Sequence, residues 1–233
     1  MRGNGVFRKA FQTSLPVMAG YIVLGTGFGM VLKAGGYGLI YALAMSVFIY
    51  AGSLQFVLVN LLTGGASFLT TALTSLVVNA RHLFYGISMI DRYKSTGKYK
   101  PYLIFSLTDE TYSLLSTDPR LLPAEQGDRT RFYFLVSLLN QCYWVLGSVI
   151  GSALGSVLPI NTKGIEFSLT ALFLTIVVDQ WRSGKHHLIT GLGLIISLVC
   201  LLVFGPGQFL IPSMILILAA VYAVRGREDE AGE

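Results

Sequence analysis

Ser75-Leu-Val-Val-Asn79-Ala-Arg81-His82-Leu-Phe-Tyr85 sets an amide, a guanidinium and an imidazole inside an apolar segment running from about Ala66 to Ile90. Read as a helix rising 1.5 Å per residue, the segment puts Arg81 about 20 Å from its start and about 13 Å from its end. Both distances lie well inside a hydrocarbon layer about 30 Å thick. An ionisable group at such depth is costly, and as a rule it is paired and functional. A blander reading ends the helix near Val78 and lets Arg81 snorkel to the headgroups. Against it, Leu83–Ile90 continues apolar before the basic loop.

Composition points the same way. Charged residues make up 12% of the chain and hydrophobic ones 53%, with a mean hydropathy of +0.65. A soluble domain carries about twice that charge, so the fold class is an all-α polytopic membrane protein. The 26 glycines suit close helix packing and broken helices in lipid. The net charge of +5 is assigned to basic loops beside membrane lipid, and nucleic acid is not expected as a partner. The start, Met1–Gly5, reads as lacking a cleavable signal peptide. Cys142 and Cys200 form neither a metal pattern nor a disulfide framework and are read as packing residues.

About 7–8 apolar segments are expected, some of them broken or re-entrant. Segment one, about Leu15–Leu32, follows the basic lead Phe7-Arg8-Lys9 and carries Gly25 and Gly29 at small-xxx-small spacing. That spacing allows close packing; local unwinding toward a ligand is the other reading. Segment two, about Gly38–Leu62, has a plausible break at Gly52-Ser53, with Gln55 beyond it. Segment three contains the opening stretch. Segment four, Pro101–Ser116, is short and carries Asp109-Glu110, so it either lines a polar cavity or bends back without crossing. Segments five to eight are placed at about Phe132–Leu158, Ile165–Trp181, His187–Phe204 and Phe209–Val224. Residues 1–233 read as one transmembrane domain with possible repeat halves at 14–116 and 132–224 and a polar linker at 117–131. The repeat signal is weak: Val23-Leu-Gly-Thr-x-x-Gly29 against Val145-Leu-Gly-Ser-x-x-Gly151.

Orientation is left open by the positive-inside rule. Of 17 Lys and Arg, Arg81 lies in a segment and sixteen do not. Eight spans with the N-terminus inside put six of the sixteen outside. If segment four does not cross and the N-terminus is outside, four fall outside.

No hydrolase, phosphate-binding or metal signature is present, so neither enzyme chemistry nor a cofactor is expected. His186-His187 reads as an interfacial pair. The intramembrane polar set is Ser53, Gln55, Asn79, Arg81, His82, Tyr85, Asp109 and Glu110. Asp109 and Glu110 are the only acids deep in an apolar segment, and an unpaired buried charge is costly, so one of them is expected to approach Arg81. Such a cavity, with a cation, a carboxylate and a histidine able to take a proton, suits a zwitterionic small molecule. The competing reading is an ion pair that only locks the bundle.

These residues resemble the AzlC-type permeases, the large subunit of bacterial branched-chain amino acid exporters. The resemblance rests on Leu15-Pro16…Gly20…Gly25…Gly29, Ser46…Ala51-Gly52-Ser53-x-Gln55, Asn79-x-Arg81-His82…Tyr85, Thr108-Asp109-Glu110-Thr111-Tyr112 and Thr170-Ala-Leu-Phe173. It implies proton-driven export of leucine, isoleucine and valine, extending to methionine, across the bacterial cytoplasmic (inner) membrane. It also implies a separate small membrane subunit of the AzlD type. The alternatives are a passive channel for a small polar solute and a structural subunit of a membrane complex.

Overall fold

The computed structural model describes residues 3–116, 122–157 and 187–205, together with 174, 178, 209, 212, 213, 215–217, 219, 220 and 222. Among these residues all regular structure is helical: α1 (Gly3–Ala34), α2 (Leu39–Phe48), α3 (Gly52–Thr63), α4 (Phe68–Asn79), α5 (Arg81–Tyr93), a 3₁₀ turn at Gly97–Tyr99, α6 (Lys100–Phe105), α7 (Asp109–Leu115), α8 (Gln126–Val157) and α9 (His187–Phe204). Contacts divide the chain into two units, Met1–Leu169 and Thr170–Glu233. The second contains α9, an 18-residue apolar helix that coincides with segment seven. Of segment six only residues 174 and 178 are among the described residues, and segment eight is described in part.

The first unit is built on α1 and α8, each of 32 residues and each long and apolar enough to cross a membrane. They run parallel and touch backbone to backbone. A Cβ at Gly25 would lie 2.9 Å from the Trp144 carbonyl oxygen, one at Gly147 would lie 2.7 Å from that of Ile22, and one at Gly151 would overlap the Thr26 carbonyl. The two copies of the short repeat therefore face each other, Gly25 to Gly147 and Gly29 to Gly151. The basic lead, expected to precede segment one, is continuous with it in α1, and Pro16 lies inside that helix.

Segment two is apolar enough to span but does not. The α1–α2 turn and the end of α3 lie together, because a Cβ on Gly35 would meet Val59 and Thr63. The α2–α3 unit thus enters and leaves at one end of the bundle, as two arms of 10 and 12 residues, about 15 and 18 Å long. The chain reverses at Tyr50, whose φ of +44° is the one positive value outside glycine among the described residues. A non-glycine residue in this region is strained and persists where its surroundings over-determine it. Tyr50 is buried and packs on Phe105 with ring centroids 6.4 Å apart.

Segment three crosses the bundle as α4 and α5. Its i→i−4 ladder is interrupted at Ala80, where Ala80 N bonds Val77 O and Leu83 N bonds Ala80 O. The end of α5 then joins the start of α1 and of α8 in one apolar cluster that includes Val6, Ala10, Tyr93, Leu103, Leu115 and Phe132. Segment four bends back without crossing. It rises as α6 from that cluster, breaks at Ser106–Thr108 and returns as α7, where Arg92 donates to the carbonyls of Leu115 (2.7 Å) and Ser116 (3.0 Å). Two hairpins thus enter from opposite ends, and their tips meet at mid-height.

The outside is apolar, and beside the apolar cluster the inside holds buried polar side chains. Phe68, Val23, Ile40, Leu76 and Ile87 are each more than 60% exposed, while Ser14, Ser46, Gln55, Asn140 and Ser148 are 0% exposed. Such a surface suits lipid and not water. Cys142 is on the outer face, not in the packing.

Backbone contact of this kind leaves no room for a side chain. Gly151→Val should cost about 1–3 kcal/mol from overpacking, read as a lower melting temperature in detergent. Gly20→Val, at a position with nothing within 4 Å, should leave the melting temperature unchanged.

Candidate functional site

The two tips and the α4–α5 kink converge on Arg81, the first residue of α5. Its Nη2 lies 3.1 Å from Asp109 Oδ2 and donates to Ser53 Oγ at 2.5 Å. The two charged side chains are 27% and 20% exposed, so the pair is desolvated on most sides and open on one. Asp109 takes this position because Thr108 caps α7. The Thr108 hydroxyl accepts from Thr111 N at 3.3 Å and fixes Asp109 as the first helical residue.

Ser53 stands in the first turn of α3. No side chain caps that helix, whose N-cap is Ala51. The first amides of a helix lack intrahelical partners and carry the positive end of its dipole. At mid-height beside a guanidinium, they form an anion-attracting corner. Asp109 Oδ1 and Asn79 Oδ1, on the residues that flank this corner, are buried acceptors without hydrogen-bond partners. The site therefore combines groups that attract an anion with oxygens that can accept from a cation.

The remaining expected residues are distributed around this pair. Asn79 ends α4, and its carbonyl oxygen lies 3.2 Å from His82 Nδ1. The His82 ring meets Tyr85 edge-on at 5.8 Å, and Tyr85 stacks on Tyr112 at 4.6 Å. An apolar groove of about 340 Å³ begins at Asn79 and His82 and runs past Leu83, Gly86, Ile104 and Leu107. Glu110 turns away from Arg81 toward α1, where Tyr21 Oη donates to its Oε2 at 2.6 Å. Gln55 does not reach Arg81. Its Oε1 accepts from Trp144 Nε1 at 2.9 Å and its Nε2 donates to Ser46 Oγ at 3.4 Å, so its amide ties the first hairpin to α8.

Sequence reading missed the frame of this site. Gln141 bridges both hairpins, donating to Val47 O at 3.1 Å and accepting from Tyr102 Oη at 2.7 Å. Asn140 donates to Thr111 Oγ1 at 3.0 Å. Tyr21 was detectable by its place one turn before Gly25, on the face that packs against α8.

Comparison with known proteins places these elements in a family. Residues 16–158, the stretch from Pro16 in α1 to the end of α8, match a family model described as AzlC protein. The chain is 44% identical to the branched-chain amino acid transport protein AzlC of Bacillus subtilis, over 97% of this chain and 87% of that one. It is 41% identical to an uncharacterized membrane protein of Helicobacter pylori, over 94% and 95%. It is 28% identical to the inner membrane protein YgaZ of Escherichia coli, over 81% and 78%. No solved structure matches the chain.

Removing one member of a desolvated pair strands the other. Arg81→Ala should destabilise the folded protein by about 3 kcal/mol, and adding Asp109→Asn should recover part of that loss. Thermal unfolding of the two single variants and the double variant in detergent measures the coupling.

Proposed function

This chain belongs to the AzlC family, and on that premise we propose that it is a secondary transporter exporting branched-chain amino acids across the bacterial cytoplasmic membrane. The observation that carries the reading is the juxtaposition of Arg81, the uncapped start of α3 and the unpartnered Asp109 Oδ1 at mid-height. A broken helix whose N-terminus meets the carboxylate of an amino acid is a recurrent transporter design. The carboxylate of leucine, isoleucine or valine binds Arg81 and the first amides of α3. The ammonium binds Asp109 Oδ1, with Asn79 Oδ1 in reserve, and the branched side chain enters the groove along Leu83, Gly86 and Ile104. Export is driven by the proton gradient and requires a small AzlD-type membrane subunit, as the resemblance implies. Passive-channel flux would ignore an imposed proton gradient and fail to saturate, and a purely structural role would leave flux untouched by substitutions in the polar cluster.

Charge distribution supports an orientation. At the end holding the start of α1, the end of α5 and the start of α8 stand Arg8, Lys9, Arg92, Lys94, Lys98, Lys100, Arg129 and Arg131. At the other end of the described part of the first unit only Lys33 stands. Eight against one supports a cytoplasmic basic end under the positive-inside rule. The first hairpin then enters from outside and the second from the cytoplasm.

Cells preloaded with labelled leucine and expressing the chain with its small subunit should release it faster than control cells. Arg81→Ala and Asp109→Asn should each slow that release by about tenfold or more, the scale of one lost charge-assisted hydrogen bond. Normal export by both variants, correctly inserted, would overturn the site. In intact cells, a cysteine replacing Lys98 should resist a membrane-impermeant thiol reagent, and one replacing Lys33 should react; the reverse pattern would invert the topology.

A further inference from the structure

Asp109 and Glu110 are sequence neighbours, yet the first turn of α7 sends them to different partners. Asp109 is tied to a fixed cation. Glu110 makes no ion pair among the described residues and is held by hydroxyls. Tyr21 Oη donates to its Oε2 at 2.6 Å and lies equally close, at 2.6 Å, to Thr108 Oγ1. The other titratable groups near it are Tyr50 from the first hairpin tip, Tyr85 from α5 and Asp109 from its own turn. Arg81 of α5 is engaged by Asp109 and Ser53. From α8, Asn140 addresses Thr111.

Hydroxyl partners make Glu110 different in kind from Asp109. A hydroxyl both donates and accepts. As a carboxylate, Glu110 accepts the Tyr21 O–H. As an acid, it donates its own O–H to the Tyr21 or Thr108 oxygen, and both hydroxyls rotate to suit. Neither state strands a buried polar atom, so protonation needs no repacking. Asp109 cannot do this, because protonating it leaves Arg81 without its counter-charge.

We propose that Glu110 is the residue that carries the coupling proton, while Arg81 and Asp109 hold the amino acid. A proton from the outside forms the O–H bond at Glu110. The same bond breaks when the site faces the cytoplasm, so one proton enters for each amino acid released outward. This assignment rests on the transport reading above. It separates two tasks that one ion pair would otherwise have to share, and it places the proton site on the contact between α1 and the second hairpin.

The test uses the full chain with its small subunit, reconstituted in lipid vesicles, and labelled leucine as the probe. Glu110→Gln should keep leucine–leucine counterflow close to wild type, because exchange needs no net proton movement. Transport driven by a pH gradient should fall by about tenfold or more, as expected when the one linked titrating group is removed. Asp109→Asn should lose both activities. Driven transport by Glu110→Gln with the wild-type response to pH would overturn the assignment, and so would loss of counterflow in correctly inserted Glu110→Gln. An infrared titration supplies a readout that does not need substrate. A carboxylic-acid carbonyl band should appear and vanish with pH in the wild type, be missing in Glu110→Gln and shift in frequency in Tyr21→Phe. A wild-type spectrum without that band would also overturn it. If the band behaves as expected but wild-type vesicles carry no leucine, the transport reading fails and the proton site stands.

Discussion

The contact between the backbones of α1 and α8 sets every other position in the first unit. Ordinary helix pairs stand 8–10 Å apart, separated by side chains. Here Gly25, Gly29, Gly147 and Gly151 remove that layer over two turns. Two parallel helices locked in this way have their polar residues at matched heights. Tyr21 on α1 and Asn140, Gln141 and Trp144 on α8 therefore form one belt. Both hairpin tips are fastened to this belt, the first by Gln141 and by Trp144 through Gln55, the second by Gln141, Asn140 and Tyr21. A wider α1–α8 pair would leave the belt too broad to clasp two tips at one level.

Broken helices in an apolar bundle create a second constraint, because each break exposes backbone groups that find no water. Three of the ends at the tips can be compared. Near the C-terminus of α2, Val47 O is satisfied by Gln141. The start of α7 is satisfied by Thr108. Only the start of α3 lacks a side-chain cap, and Arg81 stands beside it. A cationic side chain is a poor neighbour for the positive end of a helix. Asp109 offsets that repulsion from the other side. An anion placed between Arg81 and α3 would relieve it further. In the proposed reading the substrate carboxylate is that anion.

Much of this was legible in the amino acids, and the failures have physical causes. An arginine deep in an apolar segment required an acid, and the chain has only Asp109 and Glu110 at such depth. Which of them it would be depended on where α7 starts, and that is set by the Thr108 cap. The return of segment four was signalled by its two adjacent carboxyls and its short length. Segment two signalled its break through Gly52-Ser53, where α3 begins, but not its reversal. It is long and apolar enough to cross, and its reversal depends on a tyrosine in a left-handed conformation, which no residue preference indicates. Orientation followed the same logic: the charge count is ambiguous while it is unknown which segments cross, and the proposed orientation rests on both hairpins turning back. Gln55 was counted in the intramembrane polar set for its amide beyond the segment-two break, but the nearer demand on that amide came from Trp144.

Charge balance unites these features. Arg81 and Asp109 sum to zero, and so does an amino acid with one carboxylate and one ammonium. Under the proposed transport reading, empty and loaded sites therefore carry the same net charge, and moving either through the middle of the bundle avoids the large penalty of an uncompensated ion. A proton added to that pair would upset its charge balance. Glu110, one residue away and held only by hydroxyls, gives the proton a place where both of its states are satisfied. The two carboxyls are neighbours in sequence but about 100° apart around α7, so under the proposed assignment substrate and proton lie close enough to be coupled by one hairpin's movement. They are also far enough apart in partners that neither must displace the other.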